Sequence, residues 1–131
     1  MSEEPPESAK DPPRAGWILL LQRGEETSLS EAAAMTAAAI SLGIDVTIVW
    51  FGGALEMLVS GRLEELAEER SGAWSLLREA REAGRLRFLA CSASAVATRG
   101  GVAAARGHVD EIVGWPTAIS LIRSAERSFV W

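Results

Sequence analysis

Three apolar runs constrain this chain more than any other feature: Trp17-Ile18-Leu19-Leu20-Leu21, Val46-Thr47-Ile48-Val49-Trp50-Phe51, and Leu86 to Ala90. Each is short, bounded by glycine or polar residues, and nearly free of polar alternation, which suits strands buried on both faces of a parallel sheet. Helix-forming sequence lies between them. Ser28 and Glu31 have capping-box spacing, and the alanine-rich segment from Leu29 to Leu42 then ends at Gly43. Its small side chains permit close packing on the chain's own sheet or on another subunit. Gly52-Gly53 stops the second run, so strand, helix and strand follow in order with a right-handed crossover.

Beyond the second run, Ala54 to Val59 predicts a short helical turn. Arg62 to Ala83 is a charged amphipathic stretch, broken near Ser71-Gly72 into two helical pieces and ended at Gly84. The third run leads straight into Cys91, and Ser92-Ala93-Ser94-Ala95 is compatible with a helix start. Arg99-Gly100-Gly101 breaks that helix, Val109 to Val113 predicts a short strand, and Gly114-Trp115-Pro116 opens a helix with proline in its first turn. Arg127 to Trp131 makes a last strand. The expected fold is α/β: a three-layer, doubly wound, mostly parallel sheet of about five strands flanked by helices. A chain of 131 residues suits a single domain, placed here over residues 16–131. Residues 1–15 hold four of the five prolines and few large apolar groups, so a disordered leader is expected there.

Composition removes several function classes. No apolar run approaches the ~18 residues of a membrane span. The start, MSEEPPESAKDPPRAG, lacks the basic and then apolar pattern of a secretory signal, so a soluble, cytoplasmic protein is expected. One cysteine and one histidine, His108, allow neither an internal disulfide nor a dedicated metal centre. Gly24, Gly52-Gly53 and Gly100-Gly101 do not assemble a dinucleotide fingerprint, and no Walker motif occurs, so no cofactor is expected. The formal net charge of −5, with arginines scattered among glutamates, disfavours nucleic acid as a direct partner. Glu64-Glu65 and Glu68-Glu69 recur at helical spacing, as on a solvated face, rather than as paired catalytic acids.

Ligands of open parallel sheets gather outside the carboxyl ends of the strands. Those ends are Gln22-Arg23-Gly24, Trp50-Phe51-Gly52-Gly53, Cys91-Ser92 and Gly114-Trp115, so the only thiol falls among them. Two readings of Cys91 stay open. Free cysteine is often simply buried and inert. At a helix start, by contrast, unpaired backbone N–H groups and the helix dipole favour a reactive thiolate. Ser92, Ala93 and Ser94 leave room for an approaching sulfur, and Arg99 is a candidate positive charge. A candidate pocket around Cys91 therefore comprises Arg23, Trp50, Gly52, Ser92, Ser94, Arg99 and Trp115. Trp50 and Trp115 suit core packing or a subunit interface equally well. His108, after the Arg106-Gly107 break, reads as a loop or strand-edge residue rather than a catalytic base. Without a second cysteine, a disulfide cycle needs a partner, whereas a persulfide carrier needs only one sulfur.

Three segments carry a resemblance: Ala39-Ile40-Ser41-Leu42-Gly43-Ile44-Asp45-Val46-Thr47, Leu89-Ala90-Cys91-Ser92-Ala93-Ser94, and Val109-Asp110-Glu111-Ile112-Val113-Gly114. Through them, Trp17 to Trp131 resembles the DsrE/DsrF-like proteins, small α/β domains of sulfur relay. The resemblance implies that Cys91 is the sulfur-carrying residue and that the partners are sulfur donor and acceptor proteins. It also implies a homo-oligomer, trimer or hexamer, and a sulfurtransferase-like activity rather than a hydrolase or oxidoreductase. The segment Val96 to Gly101 departs from the family pattern. The alternatives are a non-catalytic oligomeric subunit with a buried, inert Cys91, and a peroxidase-like thiol enzyme served by an external resolving thiol.

Overall fold

The computed structural model describes residues 16–70 and 72–131, without the side chains of Ala67, Glu69 and Arg70. The expected leader over residues 1–15, Ser71 and the Glu69 side chain therefore lie outside the described residues.

Strand β1 (Trp17–Leu21) leads to helix α1 (Glu26–Ser41) and strand β2 (Val46–Trp50). Helices α2 (Gly52–Val59), α3 (Arg62–Arg70) and α4 (Ala73–Glu82) come before β3 (Leu86–Cys91). Helices α5 (Ser92–Ala97) and α6 (Gly101–Arg106), strand β4 (Glu111–Val113), α7 (Trp115–Ser124) and β5 (Arg127–Val130) complete the chain. The strands form one sheet in the order β4-β3-β2-β1-β5, with every pairing parallel. The α/β layering expected from the apolar runs is thus present.

The strand order decides where the helices go. From β1 to β4 each step moves the chain the same way across the sheet, so right-handed crossovers place α1 to α6 on one face. Only the return from β4 to β5 reverses direction, which puts α7 on the other face. The two cores follow the same division. Leu19, Leu21, Ile48, Trp50 and Phe88 pack against α1 to α6, whereas Ile18, Leu20, Val49, Leu89 and Cys91 meet Leu121 and Ile122 of α7. At the β5 edge the second face is open, and Val130 is 66% exposed.

Helix α1 starts before the capping-box position. Its N-cap is Glu25, and Ser28 Oγ lies 3.5 Å from the Glu25 carboxylate instead of closing a box with Glu31. The C-terminus behaves as expected: Gly43 adopts φ +87°, and the N–H of Ile44 returns to the Ala39 carbonyl. Ala32, Ala33, Thr36 and Ala39 are buried, so the alanine stripe packs on the chain's own core. Arg85 ties the ends of two helices together, bonding Asp45 Oδ1 at 2.8 Å and the Ile40 carbonyl at 3.3 Å. The glutamate-rich α3 has Glu64, Glu65 and Glu68 exposed, with Glu65 paired to Arg62 at 3.1 Å.

Helix α6 lies where Arg99-Gly100-Gly101 is expected only to break a helix. Gly100, at φ +84°, caps the helix, and Ala105 and Val102 bury against the larger core. Tertiary packing thus holds a helix too short to form alone. Strand β4 is shorter than the expected Val109 to Val113 because Asp110 turns its carboxylate into the ladder, where Oδ2 accepts the Phe88 N–H at 2.8 Å.

Candidate functional site

The carboxyl edge of the sheet is assembled from loops that glycine allows to lie close together. Gly24 after β1 and Gly53 after β2 touch backbone to backbone, and a Cβ on Gly24 would fall 2.7 Å from the Gly53 carbonyl oxygen. Gly52 turns at φ +42° and donates its N–H to Ser94 Oγ at 3.0 Å, which joins the loop after β2 to α5. On the other side of β3, a Cβ on Gly114 would stand 3.9 Å from Ser92 Oγ. Cys91, Ser92, Ser94, Gly52 and Trp115 are therefore gathered in one neighbourhood.

Cys91 ends β3 opposite Val113 and serves as the N-cap of α5. Strand alternation turns its side chain to the α7 face, where it is 5% exposed. Its surroundings are apolar. Val49, Phe51, Leu89 and Val113 belong to the same cluster, and Phe51 stacks on Trp115 with ring centroids 5.2 Å apart. The gap lined by Val49, Phe51, Cys91, Val113, Trp115 and Ala118 has no room for a water molecule. An added sulfur atom on Sγ needs the Trp115 ring or the start of α7 to give way. Helix α5 is only six residues long, so the dipole at its start is weaker than that of a full-length helix.

The other expected pocket residues stand elsewhere. Trp50 is fully buried on the opposite face, edge-on to Phe88, and belongs to the larger core rather than to the thiol's surroundings. The period of a strand explains the difference: Phe51 faces Cys91 because Trp50 faces away. Arg23 is exposed after β1, which is two strands removed from β3. Arg99 is exposed beyond the far end of α5, about 9 Å along the helix axis from Cys91. His108 lies in the turn between α6 and β4, with its carbonyl accepting from Arg81, and it does not line the gap beside Cys91. Val49, Phe51, Val113 and Ala118 line the gap without being among the expected pocket residues. Strand alternation and the pairing of β3 with β4 identify the first three, but only the path of α7 reveals Ala118.

The fold and this edge define an open, all-parallel α/β domain with one thiol packed at a strand-to-helix junction. No family model matches the chain, and no curated protein matches its sequence. Among the described residues, no helix is long and apolar enough to cross a membrane.

Proposed function

We propose that the chain is a cytoplasmic sulfur carrier in which Cys91 takes sulfane sulfur from a donor protein and passes it to an acceptor protein. The Cys91 thiolate attacks the terminal sulfur of a donor persulfide, R–S–SH. The donor S–S bond breaks, R–S⁻ leaves, and Cys91–S–SH forms; an acceptor nucleophile then takes the terminal sulfur and returns the thiolate. No external oxidant is needed. The observation that carries this reading is the position of the chain's only thiol at the carboxyl edge, beside Ser92 and the Gly52–Ser94 contact. The resemblance to sulfur-relay proteins supports it and implies a homo-oligomer, trimer or hexamer, whose mass light scattering measures.

Incubation with a persulfide-loaded cysteine desulfurase, followed by intact-mass spectrometry, tests the reading. The expected result is a gain of one sulfur atom that is reversed by a thiol reductant and abolished in Cys91→Ala. No gain, or an equal gain in Cys91→Ala, overturns it.

The burial of Cys91 within an apolar cluster favours a second reading, a non-catalytic oligomeric subunit or interaction module with an inert thiol. Alkylation kinetics separate the two. A native thiol that reacts only as fast as global unfolding permits belongs to the second reading, while one that reacts through local opening belongs to the first.

A further inference from the structure

The two edges of the sheet are built differently. Strand β4 is three residues long, carries Glu111 paired with Arg87, and is preceded by Asp110, whose carboxylate accepts the Phe88 N–H. Shortness and charge of this kind keep an edge from pairing with another chain. Strand β5 lacks such protection. After Arg127 it runs through Ser128, Phe129 and Val130 into Trp131 with no proline and no charge, and its register with β1 is unbroken.

The backbone of β5 has a definite parity. Trp131 donates its N–H to the Leu20 carbonyl and accepts the Gln22 N–H, so its polar groups face β1. Backbone direction alternates along a strand, which turns Phe129 toward β1 as well and aims the N–H and C=O groups of Ser128 and Val130 away from the sheet. Both residues are exposed. Side chains alternate too. Phe129 lies between Trp17 and Trp131, with ring centroids 5.1 Å and 6.5 Å away, in an aromatic row on the face that carries α1 to α6, and all three residues are only partly buried. Alternation puts Arg127 on that same face.

A two-fold axis perpendicular to the sheet brings β5 against its own copy in antiparallel fashion. With the axis at Phe129, Ser128 lies opposite the partner's Val130 and exchanges both hydrogen bonds with it, and Val130 does the same with the partner's Ser128. Every outward group of both residues is then paired. An axis at Ser128 serves less well, because it sets Val130 against Glu126, whose N–H is already given to the Gly16 carbonyl. The register centred on Phe129 also places the non-hydrogen-bonded pairs, whose side chains come closest, on the aromatic face. Phe129 meets the partner's Phe129, and Arg127 stands opposite the partner's Trp131, a cation against an aromatic ring. The edge thus carries its own complement, which favours a second copy over a foreign strand.

We propose that β5 is a two-fold self-association edge that joins the five-stranded sheets of two copies into one continuous sheet. The contact does not rest on the sulfur-carrier reading or on Cys91, and a two-fold contact belongs to a dimer or a hexamer rather than to a trimer.

Sedimentation and amide hydrogen exchange of the full chain across a dilution series test the contact. The expected result is an even-numbered oligomer with protected Ser128 and Val130 amides, both of which become free to exchange as dilution dissociates it. Val130→Pro removes an outward N–H at a position where an edge strand accepts proline, so it is expected to weaken association by about ten-fold or more while the folded monomer persists. A chain that stays monomeric, and so leaves the edge to a foreign strand, overturns the proposal. So does an oligomer whose Ser128 and Val130 amides exchange freely, or a Val130→Pro chain that associates as tightly as the unaltered one. The exchange pattern of the unaltered chain decides the matter even if the variant fails to fold.

Discussion

Gly24 and Gly53 are the residues on which the carboxyl edge closes. A methyl group on Gly24 meets a backbone oxygen at 2.7 Å, and neither loop can yield without disturbing the hydrogen bonds from Phe51 to the Leu21 carbonyl and from Ala54 to the Gln22 carbonyl. Gly24→Ala is therefore expected to lower stability by about 1–3 kcal/mol in urea denaturation, the usual range for overpacking. Trp115 has a different kind of importance. Half of its ring is exposed, yet the ring stacks on Phe51 and closes the gap beside Cys91. Trp115→Ala is expected to raise the alkylation rate of native Cys91 by about ten-fold, because opening the site no longer requires moving an indole. A rate equal to that of the unaltered chain shows that the indole does not control access. The thiol's position at the strand end was legible in the sequence, but its packing under α7 was not. That packing depends on where a helix 24 positions later returns across the sheet, and no local pattern encodes it.

At the scale of elements, α1 and α7 show how one sheet asks different things of its two faces. The first face carries six helices, and α1 fits among them with small residues at Ala32, Ala33, Thr36 and Ala39 beside one large buried side chain, Leu29. Ala33 is buried in that packing and Ala34 is exposed. Ala33→Leu is expected to cost about 1–3 kcal/mol, while Ala34→Leu stays within about 0.5 kcal/mol of the unaltered chain. Equal effects of the two would contradict the packing described. The second face relies on α7 alone, anchored by Ala118, Leu121 and Ile122. Gly114-Trp115-Pro116, with proline in the first turn, identifies this helix in the sequence, whereas α6 has no local signal because its stability comes from the core that it meets. The expected capping box failed for a related reason: Glu25 and Glu26 continue the helix upstream, and the local Ser28–Glu31 signal does not override them.

Over the whole molecule, protection from exchange should follow position in the sheet. Strands β1, β2 and β3 lie inside it, and Leu19, Ile48 and Leu89 are fully buried. Strand β5 is an edge, with Ser128 and Val130 exposed. In the monomer at high dilution, native-state hydrogen exchange is expected to show β1 to β3 opening only with global unfolding and β5 opening at lower free energy. Uniform protection across all five strands at that dilution would contradict this order. The same architecture separates the thiol from the open edge. Cys91 ends β3, and β2 and β1 stand between it and β5, so a substitution at one is not expected to alter the other.

The sequence by itself determined the alternation of strands and helices, the parallel sheet and the place of Cys91 at a strand end. Those properties follow from short-range facts: apolar runs, glycine stops and the two-residue period of a strand. Only the tertiary structure decided which core Trp50 and Phe51 each meet, that Arg23 and Arg99 stand apart from the thiol, and that α7 lies over it. It also joined α4 to the approach to β4 through Arg81, forming a cavity from residues far apart in the chain. These outcomes depend on strand order and crossover direction, and both are settled only when the whole sheet closes its two cores at once.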